Sequence, residues 1–260
     1  MLLNEPGRTD YDFTFSIFGF EVRTHPAFFI MPILLGRGLI PPDVNTGVGW
    51  LLLIAIFFVS VLIHELGHAF AFRYFGVPSR IVLYWMGGLA IPDSGGNVWN
   101  RHQGRSLHPN EQIIVSLAGP VAGLILGAII CGLVYAIGGT LFVPRGFIIP
   151  VPVPDLQETA FAQHGVVWMV LESGILLNIL LNLLNLIPIY PLDGGQIARQ
   201  IMIQMDPWNG LKNSLFLSIA ACLIMIVLGL KYDHHFLAIF FGMMAWSNYQ
   251  SLQGYGGSPW

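Results

Sequence analysis

His64-Glu65-Leu66-Gly67-His68 places two imidazoles and a carboxylate inside an apolar run. Ser60 is the only polar residue between Trp50 and Ile63, and Ala69-Phe70-Ala71-Phe72 follows the motif. On a helix, residues at i and i+4 share a face about one turn apart, so both imidazoles can reach one ion. Glu65 directly follows the first of them and stands where a general base would take a proton from a water activated by that ion. The chemistry is zinc-dependent hydrolysis. An unpaired ionised side chain at the centre of a spanning helix costs at least about 2.5–3.5 kcal/mol, which coordination or hydration must offset. One intramembrane histidine can be satisfied by a single hydrogen bond, but His, Glu and His at this spacing call for an ion.

A tetrahedral zinc site with one open position needs a third protein ligand. Besides Glu65, the acidic residues within or bordering apolar segments are Glu172 and Asp193. Asp193 lies in Asn185-Leu186-Ile187-Pro188-Ile189-Tyr190-Pro191-Leu192-Asp193-Gly194-Gly195, where prolines and glycines break a helix. Irregular backbone at membrane depth is tolerated where it lines a buried or hydrated cavity. Glu172 comes about 20 residues earlier, about 30 Å away along a straight helix, towards the opposite face. Asp193 is therefore the expected third ligand and Zn2+, one per chain, the expected ion, with other divalent ions as competitors.

These residues need a membrane scaffold. The chain is 55% hydrophobic and 10% charged, with mean hydropathy +0.68, against about 25% charged residues in soluble domains. A net charge of −3 offers no basic surface for nucleic acid. Cys131 and Cys222 fall in apolar runs and read as core residues without a disulfide. Met1-Leu2-Leu3-Asn4-Glu5-Pro6 lacks the basic-then-apolar order of a cleavable leader. A spanning helix takes about 20 mostly apolar residues. The pattern predicts an all-α polytopic membrane protein of six spans, at 26–40, 48–75, 113–137, 166–192, 214–231 and 235–250. The first is interrupted by Arg37 and the last depends on extension through Ser247-Asn248-Tyr249. The loops 93–112 and 138–163 are too short for cores of their own, so residues 1–260 read as one domain.

Basic residues in short loops set orientation. With six spans, one side holds Arg8, Arg23, Arg73, Arg80, Arg101, Arg105, Arg199 and Lys212, and the other Arg37, Arg145 and Lys231. Both termini are then expected in the cytoplasm of a cell-membrane protein. His68 would lie about eight residues, or about 12 Å, from the cytoplasmic end of its helix.

Two stretches fit substrate handling. Arg80-Ile81-Val82-Leu83-Tyr84-Trp85 and Met86-Gly87-Gly88-Leu89-Ala90-Ile91 read as β-prone runs around a Gly87-Gly88 turn, a small re-entrant or interfacial hairpin. Its edge could pair with an unwound substrate segment; a loop that merely plugs the bundle is the other reading. Phe13, Phe15 and Ile17 alternate as in an interfacial strand, or anchor the interface as aromatics.

At these residues the chain resembles the site-2 protease family of intramembrane zinc metalloproteases. That family carries HExxH on one membrane helix and NxxPxxxxDG on a later one, and Asn185, Pro188, Asp193 and Gly194 match the second pattern. His25-Pro26, Gly87-Gly88 and Ala118-Gly119-Pro120 extend the resemblance. It implies that His64, His68 and Asp193 bind zinc, that Glu65 activates water, and that Asn185, with Gly87 and Gly88, supports substrate or oxyanion. Asn178, Asn182 and Asn185 recur at spacings of four and three, so they could equally line a hydrated face or bond between helices. Gly123 stands where the family usually has Asn, so that residue's polar contact is missing or supplied from elsewhere. The pattern is that of a compact, bacterial-type member without a PDZ domain. The resemblance also implies single-pass membrane protein substrates, embedded in lipid and cut near the cytoplasmic face, in regulated intramembrane proteolysis. A metal transporter or sensor would use the same His64, His68 and Asp193 but leaves Glu65 without a role. A catalytically silent relative that binds membrane proteins would tolerate the loss of Glu65 or a ligand, and all four residues are present.

Overall fold

The computed structural model describes residues 6–36, 38–85, 87–92, 107–144 and 151–256. Strands β1 (Phe13–Ile17) and β2 (Phe20–Thr24) lead through a 3₁₀ turn at Pro26–Phe29 to the short helix α1 (Ile30–Leu35) and then to α2 (Thr46–Tyr74). Strands β3 (Ser79–Tyr84) and β4 (Gly87–Pro92) follow, then α3 (Pro109–Ala136), β5 (Thr140–Phe142), β6 (Val153–Asp155) and α4 (Gly165–Asn185). The chain continues through α5 (Asp193–Met205), α6 (Gly210–Lys231) and α7 (His235–Gly256).

Among the described residues, α2, α3, α4 and α6 are long and apolar enough to cross a membrane by length and composition. Their starts are chemically marked. The Asn45 side chain accepts from the backbone N–H groups of Gly47 and Val48 at the head of α2, and His108 and Glu111 form a capping box on α3.

The predicted span 26–40 fails as a helix because proline disrupts the backbone ladder: Pro26 opens a 3₁₀ turn and α1, which contains Pro32, closes at Gly36. The stretch instead lies beside the N-terminal half of α2, with the Phe28 ring 5.2 Å from that of Phe57, Gly36 against Leu53 and Trp50, and Ile40 against Gly49. The predicted span 235–250 does form a helix, α7, but Ser247, Asn248, Tyr249, Gln250 and Ser251 make its second half too polar to count as a span by composition. It packs on α6 through Cys222, Met225, Phe241 and Met244. The predicted span 166–192 stops at Asn185, and Asp193 opens a separate helix.

The first four strands form one sheet in the order β1-β2-β3-β4, with β2 and β3 parallel and both hairpins antiparallel. Phe20, Val22, Ile81 and Leu83 from its two central strands pack on Phe57, Val61, Leu62, Leu66 and Ala69 of α2. The Arg73 guanidinium lies 3.6 Å from the Phe20 ring centroid, tying the first hairpin to the end of α2. The predicted hairpin is present, but its Gly-Gly pair lies in a strand and not in the turn: Tyr84 pairs with Gly87, so Gly87-Gly88 open β4. The Pro-rich loop holds the β5–β6 pair. Arg37, Arg101, Arg105 and Arg145, used to predict orientation, lie outside the described residues, as do Met86 and most of the 93–112 loop.

Candidate metal centre

His64, Glu65 and His68 are buried on α2, with one potential ligand atom of each lying within 4.8 Å of the others. The two Nε2 atoms are 3.1 Å apart. Asp193, in the first turn of α5, brings Oδ2 to 3.1 Å from His64 Nε2 and Oδ1 to 3.3 Å from His68 Nε2. A carboxylate at a helix start is also favoured by the exposed N–H groups there.

The loop between α4 and α5 delivers that carboxylate. Ser218 of α6 accepts from the Tyr190 N–H at 3.0 Å, and Asn248 of α7 donates to the Tyr190 carbonyl at 2.6 Å. Gly194 and Gly195 allow the loop backbone at Leu186 and Ile189 to fold against the first turn of α5, where any side chain would collide.

Hydrogen bonds at the far side of each imidazole define the metal-facing nitrogens. His68 Nδ1 donates to the Val115 carbonyl of α3 at 2.7 Å. His64 Nδ1 lies 2.7 Å from Asn182 Oδ1, and that amide is oriented by its own Nδ2, which donates to the Asn178 carbonyl at 2.6 Å. Both Nδ1 atoms therefore carry a proton, and the Nε2 atom of each ring faces inward beside the carboxylate. With both Nε2 atoms unprotonated, two lone pairs and a carboxylate repel unless a cation lies among them. The Nε2–Nε2 separation of 3.1 Å is close to the edge of about 3.3 Å expected of a tetrahedron with metal–ligand bonds of about 2.0–2.1 Å, and the Asp193 carboxylate offers a different oxygen to each imidazole. The donor set fits zinc.

Glu65 is the fourth member of the cluster, 4% exposed. Its carboxyl group lies under β4: a Cβ on Gly88 would collide with it, and the Ala90 backbone N–H donates to it. Gly87 adopts φ +118° and has open space where a side chain would stand. Asn185, the last residue of α4, places Nδ2 at 3.4 Å from His64 Nε2. Glu172 precedes Asn185 by about 20 Å along α4 at 1.5 Å per residue, away from the cluster.

A cavity of about 260 Å³ opens on these groups. Its walls include Phe57, Tyr84, Leu181, Phe240 and Met244, so α2, the hairpin, α4 and α7 all contribute. Each predicted site residue except Gly87 thus lies at this cluster or packs directly on it, and Gly87 adjoins it through Gly88. Sequence reasoning missed the partners of the imidazoles, Asn182 and the Val115 carbonyl. The spacing of the three asparagines was the available signal for the first; a backbone carbonyl leaves none.

Residues 52–227 match the model of peptidase family M50. A zinc metalloprotease of Methanocaldococcus jannaschii is 26% identical over 219 residues, covering 83% of this chain and 53% of that protein. A provisionally named zinc metalloprotease of Synechocystis sp. is 31% identical over 199 residues, covering 73% of this chain and 44% of that protein. The chain thus spans about half the length of these curated relatives. Among solved structures, the site-2 protease from Methanocaldococcus jannaschii has the same fold, with a TM-score of 0.54 at 23% identity over 93% of this chain and 95% of that one.

Proposed function

Because the chain belongs to peptidase family M50, we propose that it is an intramembrane zinc endopeptidase that cuts transmembrane protein substrates near the cytoplasmic face. The observation that carries this reading is the convergence of His64, His68 and Asp193 beside the buried Glu65, in an apolar cavity among helices of spanning length.

His64, His68 and Asp193 would hold the ion. A zinc ion there supplies Lewis acidity, lowering the pKa of water and polarising the scissile carbonyl. Glu65 takes the proton of the attacking water and passes it to the leaving amide nitrogen. Its hydrogen bond from Ala90 and the close backbone at Gly88 orient the carboxylate for both transfers. Asn185 Nδ2 is placed to donate to the oxygen on which negative charge develops.

A substrate helix must unwind before its peptide bond can reach this cluster, and its freed backbone groups need partners. The outer edge of β4 supplies them through Gly87, Gly88 and their neighbours. Single-pass proteins held in lipid are the proposed substrates. The whole chain acts as one domain in a cell membrane, with the cluster towards the cytoplasmic face, a placement drawn from the distribution of basic residues.

The test uses detergent-purified protein, wild type beside Glu65→Gln, with a panel of single-pass membrane substrates. Cleavage that a zinc chelator stops and the variant lacks, with zinc still bound to the variant, supports the proposal. Stoichiometric zinc without cleavage of any substrate overturns it.

A further inference from the structure

The two metal-facing imidazoles are held by different means. His68 takes its partner from a backbone carbonyl, which substitution leaves in place. His64 depends on one side chain from another helix, Asn182, which is 3% exposed.

That amide belongs to a ladder between α2 and α4. Asn178 Nδ2 donates to Ser60 Oγ at 2.8 Å, and Asn182 Oδ1 meets His64 Nδ1 one turn further along both helices. Ser60 and His64 are four residues apart on α2, as Asn178 and Asn182 are on α4, so two successive rungs hold the helices in register. The Asn178 carbonyl also orients the Asn182 amide.

A third helix makes room for the upper rung. Gly123 of α3 packs directly on Asn182, and a Cβ at that position would collide with the amide nitrogen, carbon and oxygen together. Gly123 has no left-handed backbone to explain its identity. Its lack of a side chain is required by the Asn182 amide in this position.

We propose that Asn182 is the positioning residue of the metal ligand His64 and that Gly123 supplies the space that lets it act, the two forming one coupled device. The inference rests on the metal-centre reading above. Asn182 accepts the Nδ1 proton and thereby keeps the lone pair on Nε2 with the ring aimed at the ion. A Cβ at 123 pushes the amide away, freeing the ring to rotate or exchange tautomers. The chemical change is at His64, although neither residue touches the ion.

The experiment measures zinc affinity of the full-length protein in detergent by competition with a chromophoric chelator, together with the visible spectrum of the cobalt-substituted protein. The variants are Asn182→Leu, Asn182→Ala, Gly123→Ala and the double Gly123→Ala/Asn182→Ala. Asn182→Leu keeps the approximate volume and removes only the polar contact, so it remains informative even if Gly123→Ala fails to fold. Loss of an orienting partner typically costs 10–100-fold in metal affinity. The expected result is a fall of that size in Asn182→Leu, a changed cobalt spectrum, and a double variant no weaker than Asn182→Ala alone, because the side chain that Gly123 accommodates is already gone. Zinc affinity within twofold of wild type in Asn182→Leu, or full additivity in the double variant, overturns the coupled device while leaving the metal centre standing. A wild-type chain that binds no zinc overturns the metal-centre reading and this inference with it.

Discussion

Gly88 of β4 lies against the Glu65 carboxyl group so closely that no side chain fits between them. The strand therefore forms the roof over the proposed base. Gly88→Ala must displace either the strand or the carboxylate, and misplacement of a reacting group by about 1 Å can cost about 100-fold in rate. The expected outcome is a loss of cleavage of that order with zinc content unchanged by metal analysis. Loss of zinc together with activity would show that the glycine protects the fold of the site and has no separate effect on Glu65.

Asp193 differs from the imidazoles in bringing the compensating negative charge. Asp193→Asn keeps the shape and an amide oxygen but removes that charge from a set otherwise composed of neutral nitrogens. Since altering an orienting partner alone costs about 10–100-fold in affinity, altering the ligand is expected to cost at least about 100-fold. Chelator competition reads this directly. Wild-type zinc affinity in the variant would remove Asp193 from the ligand set.

The clustering of the candidate ligands was legible because their geometry is local. Four residues on a helix bring two side chains to one face whatever surrounds them, and a carboxylate after a Pro-containing break can end nowhere but near a turn. The partners of those ligands were less legible, because Asn182 acquires its role only when α4 crosses α2 at one register. Gly123 looked like a missing polar contact for the same reason: its neighbour comes from another helix. Hydropathy also read 26–40 as one continuous helix. It registers the apolar side chains of 26–40 but not the backbone consequences of Pro26 and Pro32, which leave only a six-residue helix. Conversely, Gly194-Gly195 read as a helix breaker, whereas these residues begin α5 because they let the preceding loop pack against it.

Three mutually repelling acceptors in a buried cluster make the metal a structural element as well as a reagent. A ligand present at 1,000 times its dissociation constant stabilises the folded state by about 4 kcal/mol. Chelation is therefore expected to lower the melting temperature of the wild-type protein in detergent, and added zinc to restore it. His68→Ala, which lacks one ligand, should show little response to either treatment. Equal melting curves for wild type with and without chelator, after complete metal removal has been verified, would contradict a contribution of the ion to stability.

The direction of the β4 backbone gives a test of how the Glu65 carboxylate is held. Among the described residues, β4 is the last strand of its sheet and pairs with β3 on one side. N–H groups of successive strand residues point to opposite sides. Because the Ala90 N–H donates to Glu65, the Gly88 N–H also points to the outer edge, while that of Leu89 points towards β3. Proline is compatible with an edge strand when its missing N–H faces outward. Ala90→Pro is therefore expected to keep the β3–β4 pairing and bound zinc while removing the N–H that orients the Glu65 carboxylate. A lost hydrogen bond that leaves a buried group unsatisfied costs about 1–3 kcal/mol, so cleavage should fall between about 5-fold and 150-fold. Leu89→Pro, which cuts the ladder to β3, should instead destabilise the hairpin and be detected by proteolysis of the purified protein. Cleavage within twofold of wild type in Ala90→Pro would mean that Glu65 acts without the Ala90 hydrogen bond.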